Sequence, residues 1–139
     1  MDASEDYAIV GSIITHARAA QGRFETGATQ ARYDQAALAA GWAIMDPARN
    51  RALAELAVKT TGLGNVPDKI TKNHRKTLGL LRDIKDIKTQ GIISDDPATG
   101  ITEIARPIGV VGAVVPSTNP AATPANNIIN ALKCGNAVV

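Results

Sequence analysis

The chain is poor in the residues that build most compact chemical centres. Among 139 residues there is one cysteine, Cys134, and there are two histidines, His16 and His74. A single cysteine closes no internal disulfide, and one thiol with two imidazoles does not assemble a zinc cluster. Aromatic residues make up 3% of the chain, namely Tyr7, Phe24, Tyr33 and Trp42, so stacking platforms for bases or sugars are scarce. No apolar run approaches the roughly 20 residues of a membrane span. The acidic start, with Asp2, Glu5 and Asp6, is wrong for a secretory leader. An excess of one charge is missing too: 15 Lys and Arg stand against 13 Asp and Glu, a formal net charge of +2. That balance removes the simple electrostatic case for a nucleic-acid partner. The expectation is a cytoplasmic, reducing setting with neither membrane nor nucleic acid.

What is present is 45% hydrophobic and 20% charged, the range of a folded domain, with a core to be built from Ala, Val, Ile and Leu. Residues 1–90 read as a helical region. Ile9, Ile13, Ile14 and Ala17 recur at helical steps over 7–23, and Leu38 and Trp42 share a face over 29–43. Asp46 then caps a helix opened by Pro47, with Leu53, Leu56 and Ala57 as its buried stripe and Gly62 or Gly64 as its stop. Asp68 can cap a fourth helix running to about residue 88, with Leu80, Leu81, Ile84 and Ile87 inward. Residues 91–107 hold two short strands, 91–94 and 101–105, around a Pro- and Gly-punctuated turn, which predicts a hairpin.

From residue 108 the pattern changes again. The apolar run 108–115 is that of a parallel strand covered on both faces. Pro116, Ser117, Thr118, Asn119 and Pro120 form a loop, a helix follows over 122–133, and 137–139 opens another strand. One strand, one helix and three further strand residues make an incomplete sheet. The chain is expected to be the front portion of a larger α/β protein.

In open parallel sheets, ligands sit at the carboxyl ends of strands, where the 116–120 loop lies. The amide of Asn119 could donate to a developing oxyanion, or the residue could simply turn the chain and cap the next helix. Cys134 sits at a helix end with no histidine near it in sequence, so it reads as a small core residue and not as a nucleophile. His16 and His74 are isolated on helices and read as solvated. The basic run Lys69, Lys72, His74, Arg75, Lys76 and Arg82 could meet the phosphates of a polyanion such as RNA, but Asp68, Asp83 and Asp86 punctuate it. It reads as a solvated helix face. Gly62 and Gly64, and Gly109 and Gly112, do not form the G-x-G-x-x-G fingerprint.

The run from Gly109 to Asn119-Pro120, and the run from Ala131 to Val139, resemble the coenzyme A-acylating aldehyde dehydrogenases. So does the hairpin with Ile104-Ala105-Arg106-Pro107-Ile108-Gly109-Val110. Trp42 to Met45, Leu53 to Ala57, Thr61 to Asn65, and Asp68 to Asp83 are similar to the branch that acts on sulfoacetaldehyde. The resemblance implies N-terminal helices, a β-hairpin and the start of a Rossmann-like, NAD(P)-binding domain at 108–139, truncated here. It implies oxidation of a small aldehyde through a cysteine thioester, with NAD or NADP as cofactor and coenzyme A as co-substrate. Sulfoacetaldehyde is favoured over acetaldehyde, propionaldehyde and succinate semialdehyde. Asn119 falls at the family's oxyanion-hole asparagine, and Pro116, Ser117 and Thr118 fall where the family lines its cofactor cleft. The wider superfamily usually has an aromatic residue where Thr118 stands. The hairpin falls in an oligomerisation region, so the complete enzyme is expected to be a homo-oligomer. The catalytic cysteine is expected beyond Val139, leaving this chain inactive alone. The alternative from another class is a non-catalytic module that associates with a full-length partner.

Overall fold

The computed structural model describes residues 3–139; Asp2, part of the acidic start, lies outside them. Four helices come first: α1 (Ala3–Glu25), α2 (Gln30–Met45), α3 (Pro47–Thr61) and α4 (Val66–Ile84). The hairpin β1 (Gly91–Asp96) and β2 (Ile101–Ala105) follows, and then β3 (Val110–Val111), α5 (Ala122–Lys133) and β4 (Ala137–Val138). β1 and β2 are antiparallel, and β3 and β4 are parallel. The fold is therefore α/β, with helix α5 crossing between the parallel strands.

Local chemistry explains the helix bounds. The Thr29 side chain accepts from the Arg32 N–H to open α2, and Asp46 does the same for Arg49 at the start of α3. Gly62 ends α3 at φ +67°, a left-handed position that suits glycine. At α4 the expected Asp68 cap is corrected. Asn65 Oδ1 accepts the Asp68 N–H at 2.9 Å, and Asn65 Nδ2 donates to Asp68 Oδ2 at 2.6 Å, so Asp68 belongs to the first turn. The helix stops at Ile84, which leaves Ile87 beyond it and half exposed.

The buried stripes also differ from expectation. Leu38, Trp42, Leu53 and Leu56 face outward, whereas Tyr33, Ala37, Gly41 and Ile44 of α2 and Ala54 and Ala57 of α3 face inward. On α2 the close approach of α4 is one reason. A Cβ added at Gly41 would lie 2.6 Å from Leu81 Cδ1 on α4, so only small residues fit that seam. Between α3 and α4, buried Asn73 donates from Nδ2 to Asn50 Oδ1 at 2.9 Å, and Asn50 donates to the Ile70 carbonyl at 3.0 Å.

Helix α5 packs against α2 and α4 and carries the parallel pair with it. Lys133, nearly fully buried, donates from Nζ to Asp34 Oδ1 at 2.6 Å. Burial works to raise the Asp34 pKa, but the hydrogen bonds from Lys133 and Gln30 outweigh it and hold the carboxyl below its ordinary value. At Gly135, φ +71°, an added Cβ would collide with the ring of Tyr33, itself fully buried. The strand expected over 108–115 is paired over a shorter stretch. Its ladder runs from the Gly109 carbonyl, which accepts the Ala137 N–H at 3.0 Å, to the Ala113 N–H, which donates to the Val139 carbonyl at 2.8 Å. Ile108 and Val114 are 82% and 96% exposed, so cover on both faces is not found among the described residues.

Candidate functional site

The loop at the carboxyl end of β3 is where the site residues fall. Its backbone is turned by the Asn119 N–H, which donates to the Pro116 carbonyl at 3.3 Å. Pro116, Ser117 and Thr118 are exposed, and Asn119 is half-buried. The capping alternative for Asn119 is not realised. Residue Ala121 stands at the N-cap of α5, and no side chain caps that helix. The Asn119 side-chain amide makes no hydrogen bond with the described residues. Its donors are thus unspent by the fold.

An apolar recess of about 400 Å³ begins at the next residue in the chain, walled by Ile44, Leu53, Pro120, Ala121, Pro124 and Ile128. It joins the start of α5 to the corner between α2 and α3.

The start of β3 is positioned by a residue of the short turn between α5 and β4. Buried Asn136 accepts through Oδ1 from the Ile108 N–H at 2.7 Å and the Gly109 N–H at 2.9 Å. This clamp lies 28 and 27 residues away from its donors in sequence. Its signal was a polar residue between a left-handed glycine and an apolar strand. Lys133 was missed for the same reason: its partner Asp34 is 99 residues away.

Other candidates separate from this site. Cys134 is half-buried at the end of α5, and burial pushes its thiol up, opposed only in part by the charge of Lys133. It stays protonated near neutrality and is a poor nucleophile. His16 and His74 are exposed and lie on different helices, and no cluster of metal-ligating side chains occurs among the described residues. No described helix is long and apolar enough to cross a membrane. The basic run divides: Lys69 is buried, whereas His74, Arg75 and Lys76 are exposed.

With this geometry in place, the chain can be compared with known proteins. It is 66% identical over 130 residues to the acylating sulfoacetaldehyde dehydrogenase of Cupriavidus necator, covering 94% of this chain and 26% of that protein. It is 35% identical over 130 residues to the acetylating succinate-semialdehyde dehydrogenase of Clostridium kluyveri, covering 94% of this chain and 28% of that one. The solved structure of an acetylating aldehyde dehydrogenase from Geobacillus thermoglucosidasius matches with a TM-score of 0.87 at 37% identity, over 94% of this chain and 28% of that chain. The chain spans about a quarter of the length of the sulfoacetaldehyde dehydrogenases it matches. The model of the aldehyde dehydrogenase family matches residues 3–139, and the chain belongs to that family.

Proposed function

We propose that the complete protein oxidises sulfoacetaldehyde to its coenzyme A thioester with NAD or NADP, and that Asn119 is the oxyanion donor of that reaction. One observation carries the reading. The Asn119 side-chain amide makes no hydrogen bond with the described residues, on the loop that leads from a parallel strand to a helix start that no side chain caps. The choice of aldehyde is supported by the 66% identity with the acylating sulfoacetaldehyde dehydrogenase.

When a thiolate adds to the aldehyde carbon, the carbonyl oxygen gains negative charge. Asn119 Nδ2 donates to that oxygen. Pro116, Ser117 and Thr118 hold the cofactor. The loop fits such a group: the Ser117 and Thr118 hydroxyls are exposed, make no hydrogen bond with the described residues, and lie where parallel sheets bind nucleotides. The nicotinamide, when bound, supplies the two-electron acceptor. Coenzyme A is the acyl acceptor that releases the enzyme. The thiolate comes from a cysteine other than Cys134, whose thiol burial disfavours ionisation.

The hairpin over 91–107 serves self-association in a cytoplasmic homo-oligomer, and 108–139 forms part of the nucleotide domain. Ile92, Ile101 and Ile104 are each more than half exposed, an apolar arm with no cover among the described residues. The test is turnover of the complete protein carrying Asn119→Ala. A fall of about 10²–10³-fold is expected, as for the loss of other oxyanion donors; turnover within a few-fold of wild type would remove Asn119 from the mechanism.

A further inference from the structure

The hairpin is tied to the body at its two feet. Neither strand packs extensively on a helix among the described residues, so β1 and β2 stand out as an arm with Ile92, Ile93, Ile101 and Ile104 exposed. At the first foot, the Thr89 N–H donates to Gln30 Oε1 at 2.8 Å, and the Thr89 hydroxyl donates to the Lys133 carbonyl. Gln90 Nε2 adds a bond to the Ala28 carbonyl at 2.9 Å. At the second foot, the Ile108 and Gly109 N–H groups both donate to Asn136 Oδ1. Lys133 and Asn136 thus bring both feet onto one short segment at the end of α5.

Each grip adjoins a glycine in a backbone conformation that other residues rarely adopt. Gly91 opens β1 at φ +72°, two residues after Thr89, and Gly109 has φ +110°. A Cβ added at either would meet nothing within 4 Å, so it is the backbone and not crowding that calls for glycine. The direction in which the arm leaves the body is set at these two positions, and the hydrogen bonds beside them hold it. The arm also differs from the body in charge. Residues 91–105 carry Asp95, Asp96 and Glu103, whereas all 15 Lys and Arg lie in the rest of the chain and outnumber the Asp and Glu there. A second copy therefore offers the arm a body of opposite net charge.

We infer that Thr89 and Asn136, with hinge glycines Gly91 and Gly109, aim the arm at a second copy of the chain, so that its angle as well as its apolar surface determines self-association. The inference rests on the self-association reading above and adds to it the residues that set direction. A closed symmetric oligomer uses the same patch on every copy, so each arm must leave its body at the same angle. Fixing that angle before contact removes the ordering of the feet from the cost of association. The free edges of a loosely hung arm would instead pair in many ways and leave the assembly open.

The complete protein is compared with its Thr89→Val, Gly91→Val, Gly91→Asn and Ile104→Lys variants. The concentration at which each oligomer half-dissociates is read by sedimentation with fluorescence detection, and amide exchange reports the 92–104 ladder. Valine removes the Thr89 hydroxyl at nearly constant shape, and at position 91 it forces the backbone out of positive φ, which asparagine tolerates. Thr89→Val and Gly91→Val should each raise the half-dissociation concentration by about ten- to a hundredfold, the entropy of one or two freed residues. Gly91→Asn should stay within about threefold of wild type, and the ladder should keep its protection in all three. A wild type that is monomeric throughout, or an Ile104→Lys variant that assembles as well as wild type, removes the self-association reading and the inference with it. Assembly broken by Ile104→Lys but unchanged in Thr89→Val and Gly91→Val overturns the inference alone. So does loss of ladder protection alongside assembly, since the arm would then have unravelled and not swung. Gly91→Asn failing as badly as Gly91→Val would also overturn it, because positive φ would not be what position 91 supplies.

Discussion

The two sheets of this chain each have two strands, but opposite devices hold them in register. In the hairpin, every restraint is local. The Asp96 carboxylate accepts the Ala98 N–H at 2.9 Å and the Thr99 hydroxyl at 2.8 Å, Gly100 closes the turn at φ +68°, and Thr102 donates to Asp95 at 2.7 Å. In the parallel pair, the restraints come from far away in sequence: Asn136 holds the start of β3, and α5 is seated on α2 by Lys133 and Asp34. The register of the hairpin is therefore set by its own residues, and its isoleucines stay exposed among the described residues. The parallel pair is part of the body, so a fault at α5 reaches the loop that carries Asn119.

The largest break in this contrast should come from Gly135→Ala. The new methyl meets the Tyr33 ring at a left-handed backbone position. Overpacking and the positive φ together should cost about 2–4 kcal/mol, read as a lower denaturant midpoint for the body. Amide exchange in the 91–105 hairpin should hardly change. Equal loss of protection in both sheets would show that they are one cooperative unit.

Next in size is Asp34→Ala, which strands the buried Lys133 ammonium. A fully enclosed pair broken in this way costs about 3–5 kcal/mol, but the Asp34 side chain is 35% exposed, so about 2 kcal/mol is expected. The sign of the pH dependence follows from the lowered Asp34 pKa. The folded carboxylate is favoured over the unfolded one, so its stabilisation is present above the unfolded pKa and fades as pH falls through the lowered folded value. Wild-type and variant denaturation curves should therefore converge in acid. A gap independent of pH would mean that Lys133 does not depend on the Asp34 charge.

Asn136→Ala should be milder, about 1–2 kcal/mol, because water can reach part of what the amide oxygen leaves behind. Its signature is faster exchange of the Ile108 and Gly109 amides with α5 still protected. Protection unchanged at those two amides would contradict the clamp.

Smallest is Asp96→Ala. The hydrogen bond from Thr99, followed by that from the Ala98 N–H, holds the Asp96 carboxyl below its ordinary value. The turn should therefore persist as pH falls to that lowered value and loosen below it. The variant should raise exchange at the Ala98 and Gly100 amides at neutral pH and leave the global midpoint where it was. A lowered midpoint would tie the hairpin to the body after all.

The same contrast explains what the sequence could reveal. Features made by near neighbours were legible: the Asp46 cap, the 101–105 strand, the 122–133 helix and the loop with Asn119 all follow from residues within a few positions. Inward and outward faces were not. Hydrophobic periodicity marks Leu38, Trp42, Leu53 and Leu56, but in the fold they face outward, and on α2 it is Gly41 that meets Leu81. At the site, the spacing of residues located the loop but left Asn119 between cap and donor. The structure removes the cap, since no side chain caps α5, while the Asn119 N–H still turns the chain onto the Pro116 carbonyl. The Asn136 clamp and the Lys133–Asp34 pair depend on contacts across 27 to 99 residues, which no local pattern encodes.

The most direct test of the account is the product that the complete protein makes from sulfoacetaldehyde in the presence of NAD or NADP and coenzyme A, identified by mass spectrometry. The account predicts the coenzyme A thioester of sulfoacetate, one for each nicotinamide reduced. Free sulfoacetate formed without coenzyme A, or no oxidation of any aldehyde, would contradict it.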